Sequence, residues 1–497
     1  MSPEVERREA EAPFVLALDI GSSSLRAVFF DSLGRSIKGL SARREYRLEA
    51  TPDGGAVLDP EGLFGLLADA LDEVLDSAGE LSGKVRAVGM DTMVSNVLGV
   101  DPDGRPITPI YTYADVRNER EVEKLRELLD EGECYERTGV PFHTSYLPAR
   151  FLWARRALEG EFRRVKLWLS FGAFVLLRLF GRTGESLSVA SWAGFLNRHD
   201  LSWDEKLLSA LPVGREELPE LVDVDTPFLG LLGEWARRWP ALREVPWFPA
   251  IGDGAAANIG SGCTEPERVA LTLGTTGALR AVHTEDVLLP RGLWDYRVDR
   301  RRGLLGGALT EGGGLCLWLR DLLRVPEDPE EALSRMPPDG HGLTVLPFIS
   351  GERSPGWRGD AKMAIEGLSL HHGPLDVLRA GMEAVAYRFG LIYELLRKAL
   401  PKAGEIVASG GALMASPTWA QMLADVLGRP VVLSGVPEAT ARGTALLALE
   451  SIGALQDISE IPDFTGDAYE PDPGRHEVYL RAMERQRRLY ETLLGTT

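Results

Sequence analysis

The chain has 497 residues and a mass of 54.4 kDa, which is too long for one ordinary hydrophobic core and favours two or three domains. Acidic residues outnumber basic ones by 74 to 55, so the net charge is −19. Sequence-independent binding to nucleic acid or to an anionic membrane requires a basic field, so we expect neither partner. Small phosphorylated ligands remain compatible with this charge, because a few local donors can outweigh a distant field.

We expect a cytoplasmic protein from the N-terminal residues and the cysteines. The chain contains three widely separated cysteines and no CxxC pair: Cys134, Cys263 and Cys316. This pattern indicates neither a disulfide framework nor a structural zinc site. The start, MSPEVERREAEA, lacks the apolar run of a secretory signal, so we expect residues 1–13 to form a disordered tail. The apolar stretch 167–180 is too short to span a bilayer and predicts a buried helix.

The first elements predict an α/β domain. The stretch ALDIGSSSLRAVFFD, residues 17–31, predicts two apolar strands joined by a glycine and three serines. This turn is either a simple hairpin turn or a cradle whose N–H groups and hydroxyls surround a phosphate. Asp59 and Pro60 are typical of a helix start, and a buried strand follows from Val85 to Asp91. The order strand, helix, strand favours a partly parallel sheet.

A second copy of the glycine–hydroxyl turn lies about half a chain further on. Residues 119–208 are mainly helical in pattern, residues 211–249 resemble surface loops, and VALTLGTTGALRAV then begins at residue 269. This stretch repeats the order of apolar run, glycine, hydroxyl pair, arginine and apolar run. The matching residues are Gly21, Ser22, Ser23 and Arg26 against Gly274, Thr275, Thr276 and Arg280. The repeat suggests two domains of one plan, with chance similarity as the alternative.

The second half ends with a further glycine turn. A long helix is predicted over 376–399 and a strand over 404–409, which runs into Gly410 and Gly411. The next helix is expected to start at Pro417. A glycine pair between a strand and a helix allows a ligand to approach the backbone closely. We expect an N-terminal domain over 14–262 and a C-terminal domain over 263–497.

In this order the motifs resemble those of the FGGY carbohydrate kinases. LDIGSSSLR is similar to the first phosphate motif of that family, LTLGTTGALR to the second, and ASGGALMASPTWAQMLADVLGRPV to the adenosine motif. The resemblance covers residues 14–449. It implies an α/β fold of two actin-like, ribonuclease-H-like domains flanking a catalytic cleft, with ATP and Mg²⁺ as cofactors.

The resemblance also implies roles for individual residues. Asp253, in IGDGAAANIGSGC, takes the position of the catalytic base that accepts the proton of a sugar hydroxyl. Asp19 is expected near the magnesium ion, through water. The glycine and hydroxyl residues of the three motifs are expected to bind ATP: Gly21, Ser22, Ser23, Gly274, Thr275, Thr276, Gly410 and Gly411.

The acceptor side resembles the gluconate kinases of the family first and the xylulose kinases second. The residues expected to bind the acceptor, besides Asp253, are Arg26, Met93, Asp115, Arg117 and His143. Two departures put gluconate in doubt. Gluconate kinases carry a Met-His pair where this chain has Met93 and Val94, and an Asn where it has Glu311. An ionised acid facing the substrate would repel a sugar carboxylate.

These observations predict an ATP-dependent, magnesium-requiring kinase for a primary hydroxyl of a small sugar or sugar acid. Gluconate leads as acceptor, and xylulose or another pentulose or polyol is the alternative. The partners would be the sugar and the nucleotide, and a homodimer is compatible with the family. Two other classes stay open, namely an ATPase of the actin or heat-shock type without sugar transfer and a nucleotide-binding regulator.

Overall fold

The computed structural model describes residues 2–495, which form two compact units. Unit 1 consists of three segments: residues 2–264, Asp295–Leu304 and Val436–Phe464. Unit 2 consists of three others: Glu265–Trp294, Leu305–Gly435 and residues 465–495. Each unit is built around its own β-sheet with helices packed on it.

Unit 1 contains a mixed six-stranded sheet. Its strands lie in the order Glu4–Val5, Ser36–Glu45, Ser24–Phe30, Phe14–Ile20, Val85–Thr92 and Ile251–Gly252. Phe14–Ile20 pairs antiparallel with Ser24–Phe30 and parallel with Val85–Thr92. Both the predicted hairpin and the predicted partly parallel sheet are therefore confirmed.

The first long helix, Pro60–Ala78, begins where the sequence indicated. The Asp59 carboxylate accepts hydrogen bonds from the backbone N–H groups of Glu61 and Gly62, at 3.2 and 3.0 Å. These bonds satisfy two N–H groups that have no partner inside the helix. Its apolar stripe packs into the core of the first sheet, together with the helix Phe171–Phe180.

The remaining elements of unit 1 are short. Its other helices are Glu119–Leu128, Glu131–Thr138, Leu147–Ala157, Glu159–Phe162, Phe171–Phe180, Leu187–Trp192, Glu205–Leu208, Gly233–Arg238, Asp253–Gly260 and Ala439–Ser451. Its small sheets are formed by the strands Glu49–Ala50, Ala56–Leu58 and Ile110–Tyr111, Leu98–Val100 with Leu167–Leu169, Glu185–Ser186 with Leu221–Val222, and Leu196–Asn197 with Ser202–Trp203. The apolar stretch 167–180 is thus a strand followed by a buried helix, because Ser170 caps the helix through the N–H of Ala173.

Most residues of a seven-stranded sheet belong to unit 2. Its strands lie in the order Trp294–Arg297, Gly303–Leu309, Gly277–His283, Arg268–Leu273, Glu405–Ser409, Val431–Ser434 and Thr465–Tyr469. Its helices are Gly313–Leu323, Glu330–Arg335, Pro374–Ala399, Gly411–Met414, Pro417–Leu427 and Pro473–Leu494, and Thr344–Leu346 pairs separately with Ala364–Glu366. The predicted helix start at Pro417 is confirmed, since the Ser416 hydroxyl accepts a hydrogen bond from the N–H of Trp419 at 3.2 Å.

The two hairpins match in plan but not in register. Asp19 lies directly opposite Arg26 in the first hairpin, whereas Ala270 lies opposite Arg280 in the second. One more residue separates glycine from arginine in the second hairpin, 274 to 280 against 21 to 26. Arg280 is therefore not the structural counterpart of Arg26, although the sequence patterns align them.

Residues 2–13 differ from the expected disordered tail. The strand Glu4–Val5 pairs in parallel with Ser36 and Ile37, at the edge of the first sheet. The Arg7 guanidinium donates to the carbonyl oxygens of Gly39 and Ser77, at 2.8 and 3.0 Å. An open sheet edge offers unpaired backbone groups, and this segment satisfies them in spite of its charged composition.

The division into units also differs from the expected boundary at residue 262. Val436–Phe464 groups with unit 1, although it lies in the C-terminal half of the sequence. The cause is the helix Ala439–Ser451, which packs against the helix Asp253–Gly260. A Cβ atom at Gly260 would overlap the carbonyl oxygen of Ala439, and one at Gly443 would overlap that of Ala256. Two glycines at the crossing let the backbones touch, so the helices pack as one body.

Candidate active site

Three aspartates lie at the same edge of the first sheet, the one formed by the carboxyl ends of its parallel strands. They are Asp19, Asp91 and Asp253, and the strands that carry or precede them are neighbours: Phe14–Ile20, Val85–Thr92 and Ile251–Gly252. Asp19 and Asp91 are paired directly across the ladder. Because these strands are parallel, their carboxyl ends meet at one edge of the sheet, where open α/β sheets bind ligands. The structure thus brings Asp19 and Asp253, both selected from the sequence, to one place.

The Arg26 guanidinium forms ion pairs with two carboxylates. Its Nη1 lies 3.1 Å from Oδ2 of Asp19 and 2.9 Å from Oε2 of Glu438. Burial raises the pKa of Asp19, and the Arg26 guanidinium acts against that rise. Burial also raises the pKa of Glu438. The arginine expected on the acceptor side therefore neutralises and holds the aspartate expected near the metal.

Asp91 also belongs to this site, although it is not among the predicted site residues. It is fully buried, and the hydroxyl of Thr444 donates to its Oδ2 at 2.7 Å. Burial raises the pKa of Asp91 well above its ordinary value, and the neighbouring Asp19 raises it further. The signal was present in the sequence, since Asp91 ends the predicted strand next to the one that carries Asp19.

Asp253 is the first residue of the helix Asp253–Gly260, directly after the last strand of the sheet. Its Oδ1 accepts a hydrogen bond from the N–H of Gly254 at 2.7 Å. The free N–H groups of a helix N-terminus favour a negative charge at this position. The strand and the helix therefore fix where the carboxylate stands.

The first glycine–hydroxyl turn, Gly21–Ser23, presents free donors. The N–H of Gly21 donates to the carbonyl of Ser24 at 3.1 Å, which closes the turn. Among the described residues, no protein acceptor is found for the N–H groups or the hydroxyls of Ser22 and Ser23. Consecutive free N–H groups at a turn form a concave site for an anion.

The second turn, Gly274–Thr276, lies in unit 2, and within residues 2–495 the N–H groups of Thr275 and Thr276 have no protein acceptor. Its carbonyls are occupied, because the N–H of Gly313 donates to Gly274 at 2.7 Å and the N–H of Gly314 donates to Thr275 at 3.1 Å. A Cβ atom at Gly313 would lie 2.9 Å from the oxygen of Gly274. This explains why the stretch TEGGGL needs glycines for the close approach.

Gly410 and Gly411 lie beside the second turn. The strand Glu405–Ser409, which they follow, is the parallel neighbour of the strand that leads into Gly274. Gly410 has φ +106°, which residues with a side chain rarely adopt, and a Cβ atom there would overlap the backbone of Leu273. Gly410 is therefore a position that requires glycine, whereas a Cβ atom at Gly274 or Gly411 would meet nothing within 4 Å.

Asp115 and Arg117 form a closed ion-pair cluster. Asp115 is fully buried and accepts from Arg117 at 2.6 Å, while Nη1 of Arg150 lies 2.6 Å from its other oxygen. Burial raises the pKa of Asp115, but the two guanidinium groups outweigh it and hold the pKa below its ordinary value. Arg117 also lies over the ring of Trp153, at 4.5 Å. The cluster orders this part of unit 1, and both oxygens of Asp115 already have protein partners.

Met93 and His143 occupy different environments. The Met93 side chain is fully buried in the hydrophobic core of unit 1 and offers no surface to a ligand. His143 is half-buried, and its Nδ1 lies 3.1 Å from the hydroxyl of Ser145 and accepts the N–H of that residue at 3.2 Å. Its Nδ1 therefore orients the local turn.

An aromatic group lies beside the residue that precedes Asp253. Trp192 stacks on Tyr296 with ring centroids 3.8 Å apart, and the hydroxyls of Tyr296 and Tyr146 are 2.6 Å apart. A Cβ atom at Gly252 would lie 2.7 Å from Nε1 of Trp192. These aromatic residues come from three distant parts of the chain, and no sequence pattern connects them.

Glu311 in unit 2 is held by backbone. Its Oε1 accepts a hydrogen bond from the N–H of Ser350 at 2.8 Å, and its side chain is partly exposed.

A single group of potential metal ligands was found in the part of the chain that the structure describes: Asp339, His341 and Glu383 in unit 2. Arg379 donates to Glu383 at 2.8 Å and Arg485 donates to Asp339 at 2.5 Å. These two positive charges would repel a metal cation.

Two family models match the chain in succession. The model described as "FGGY family of carbohydrate kinases, N-terminal domain" matches residues 14–260, and the corresponding C-terminal domain matches residues 269–451. No helix within residues 2–495 combines the length and the apolar character that crossing a membrane requires.

The similar proteins are kinases that are named after three different acceptors. The gluconokinase of Bacillus subtilis (strain 168) is 25% identical over 93% of this chain and 92% of its own. The glycerol kinase of Trichlorobacter lovleyi is 30% identical over 90% of this chain and 92% of its own. The solved xylulose kinase of Lactobacillus acidophilus, 24% identical, superposes with a TM-score of 0.91 over 97% of this chain and 99% of its own.

Proposed function

The chain belongs to the FGGY family of carbohydrate kinases and is an ATP-dependent phosphotransferase, and we propose that its acceptor is a primary hydroxyl of a small sugar or sugar acid. Gluconate is the first candidate. The observation that carries the proposal is the shared sheet edge of Asp19 and Asp253, next to a turn with free N–H groups.

Asp253 acts as the general base in this proposal. Its carboxylate accepts the proton of the acceptor hydroxyl as that oxygen attacks the γ-phosphorus of ATP. The bond from phosphorus to the bridging oxygen breaks, and ADP leaves with the electron pair. Since phosphoryl transfer needs little covalent help from a protein, the remaining residues position groups and neutralise charge.

The glycine–hydroxyl turns bind the phosphates. The N–H groups and hydroxyls of Thr275 and Thr276 hold the β- and γ-phosphates, and those of Ser22 and Ser23 are available for the transferred group. Gly410 and Gly411 provide the backbone surface for the α-phosphate and ribose.

The carboxylate set fits a magnesium ion. Mg²⁺ prefers oxygen ligands and keeps part of its hydration shell, and Asp19 with Asp253 offers such oxygens at one edge. When bound, the ion neutralises phosphate charge during transfer. Arg26 orients Asp19 toward this role, because the guanidinium occupies only Oδ2 of that carboxylate.

Gluconate competes with neutral acceptors. The curated gluconokinase relative supports gluconate, while Val94 and Glu311 depart from the gluconate kinase pattern. The Glu311 carboxylate would oppose a second carboxylate near it and so favours a neutral acceptor such as xylulose or another pentulose or polyol. The named relatives include a xylulose kinase and a glycerol kinase, which supports keeping this alternative.

The test is a coupled assay of ADP release with gluconate, D-xylulose and glycerol, using the wild type and Asp253→Asn. We expect one acceptor to stimulate turnover strongly in the wild type. Removal of a general base typically costs about 10²- to 10⁴-fold in rate, so the variant should bind ATP but lose most turnover.

Each other outcome contradicts a stated part of the proposal. Near-normal turnover by Asp253→Asn would overturn the assignment of the base. Stimulation by xylulose or glycerol alone would overturn gluconate and favour the neutral class. ATP hydrolysis that no sugar changes would instead indicate an ATPase of the actin or heat-shock type.

A further inference from the structure

Tyr46 makes two hydrogen bonds to the first glycine–hydroxyl turn. It directly follows the strand Ser36–Glu45, and its backbone N–H donates to the carbonyl of Ser23 at 3.0 Å. Its phenolic hydroxyl donates to the carbonyl oxygen of Gly21. One residue therefore holds the turn at both of its ends, and no motif in the sequence marked it.

The bond to Gly21 fixes a donor on the other side of the same peptide. A peptide group is planar and trans, so its C=O and the following N–H point in opposite directions. When the Tyr46 hydroxyl holds the oxygen of Gly21, it also sets the direction of the Ser22 N–H. That N–H is one of the donors without a protein acceptor among the described residues.

The second turn shows the same arrangement with different parts. There the N–H of Gly313 holds the oxygen of Gly274, which sets the direction of the Thr275 N–H, and the N–H of Gly314 holds the oxygen of Thr275. In unit 2 the backbone of a glycine-rich helix start does what a side chain does in unit 1. The independent recurrence indicates that restraining these carbonyls belongs to the function of the turns.

The surroundings of Tyr46 keep its hydroxyl a donor. Burial raises the pKa of Tyr46, and the carboxylates of Asp19, Asp91 and Asp253 raise it further. The bond to Gly21, two residues after Asp19, places the phenol at this acidic edge of the sheet.

We propose that Tyr46 is a positioning residue for nucleotide phosphate, which it serves by holding the Gly21 carbonyl so that the Ser22 N–H faces the ligand. The inference rests on the proposed function, since it needs ATP as the ligand of the turn. Tyr46 itself does not touch the reacting atoms.

The test compares Tyr46→Phe with a matched control, Tyr393→Phe. Each variant removes one phenolic hydroxyl that donates to a backbone carbonyl, and the Tyr393 bond, to Ala403 at 2.9 Å, lies in the core of unit 2. Calorimetry with Mg-ATP and no acceptor measures nucleotide binding, and steady-state kinetics measures KM for ATP and for the acceptor separately. Thermal unfolding records any general loss of stability.

We expect Tyr46→Phe to weaken Mg-ATP binding about three- to tenfold, the range of one lost hydrogen bond, and to raise KM for ATP with the acceptor KM unchanged. Tyr393→Phe should leave nucleotide affinity unchanged. Equal ATP affinity in wild type and Tyr46→Phe overturns the inference, as does an equal loss in both variants. If the wild type binds no ATP, the proposed function fails and the inference with it; if it binds ATP without phosphorylating any sugar, only the acceptor proposal fails.

Discussion

Glu383 lies at the centre of a buried charged cluster that has no part in the proposed chemistry. Its carboxylate accepts from Nε of Arg379 at 2.8 Å, from the hydroxyl of Tyr387 at 2.9 Å and from Nε2 of His341 at 3.0 Å. The N–H of Leu343 donates to Nδ1 of that histidine, which leaves Nε2 as the donor. Burial raises the pKa of Glu383, but His341 and Arg379 outweigh it and hold the pKa below its ordinary value.

Replacing Glu383 by Gln should destabilise the protein by about 3–5 kcal/mol at neutral pH, because Arg379 is left buried without its counter-charge. A carboxyl whose pKa is lowered by folding stabilises the fold above its unfolded pKa, and this contribution disappears as the pH falls through the folded pKa. The difference between wild type and Glu383→Gln should therefore shrink below about pH 4.5, which urea unfolding at several pH values measures. The exposed Glu477→Gln is the control, and a gap that stays constant with pH would contradict the argument.

Single residues show how far the sequence could reach. Asp19 and Asp253 were selected because each lies in a glycine-containing motif that resembles one of the family. Only the end of a predicted strand marked Asp91, because its polar partner, Thr444, is 353 positions away. Met93 and Asp115 were selected by position in a motif, which says nothing of where a side chain points, and both are fully buried.

At the scale of elements, the crossing of Asp253–Gly260 with Ala439–Ser451 connects packing with the site. The first helix begins with the proposed base, and the second carries Thr444, which bonds to Asp91. A Cβ atom at Gly89, on the strand that ends near Asp91, would lie 2.9 Å from the oxygen of Thr444. The helix Ala439–Ser451 is therefore pressed against both the strand and the helix that hold the carboxylates.

Gly443→Ala tests this connection. The added methyl group would overlap the carbonyl oxygen of Ala256, so the two helices must separate, at a cost of about 1–3 kcal/mol for overpacking. Since small displacements of a catalytic group cost rate, we also expect kcat to fall about tenfold or more. Urea unfolding and the coupled assay measure the two effects.

Gly65→Ala is the matched control for this substitution. Gly65 lies inside the helix Pro60–Ala78, and a Cβ atom there meets nothing within 4 Å. This variant should gain about 0.5–1 kcal/mol, because alanine loses less conformational freedom in a helix, and its kcat should not change. If Gly443→Ala behaves like the control, the glycine contact does not position the base.

Elements that local patterns determine were the ones that could be predicted. The capped helix starts at Pro60 and Pro417 and both hairpins follow from turn and cap residues. Pairings between distant segments did not follow from such patterns. The strand Glu4–Val5 at the sheet edge and the grouping of Val436–Phe464 with unit 1 depend on surfaces that exist only after folding.

At the scale of the whole molecule, the net charge of −19 must be reconciled with a ligand as anionic as ATP. The site repeats the problem locally, because Asp19, Asp91 and Glu438 stand together and Arg26 pairs with two of them. Backbone N–H groups supply donors without supplying a full positive charge. Under the proposed function, the cation that accompanies the nucleotide meets the charge of the phosphates.

ATP binding should accordingly depend on magnesium far more than adenosine binding does. Chelation of Mg²⁺ leaves ATP with its full negative charge beside the carboxylates, and repulsion between such groups, worth on the order of 1 kcal/mol or more for each close pair, should weaken binding about tenfold or more. Added salt should restore part of the affinity, because screening shortens the reach of the repulsion to about 10 Å or less. Calorimetric titrations of ATP and of adenosine separate these effects. Each ligand is titrated in three buffers: with Mg²⁺, with chelator, and with chelator plus 0.5 M salt, where the screening length is roughly 4–5 Å.

Adenosine carries no phosphate, so its affinity should be the same in all three buffers. ATP that binds equally well without Mg²⁺ would show that the protein's own donors are sufficient and that Asp19 has no metal to position.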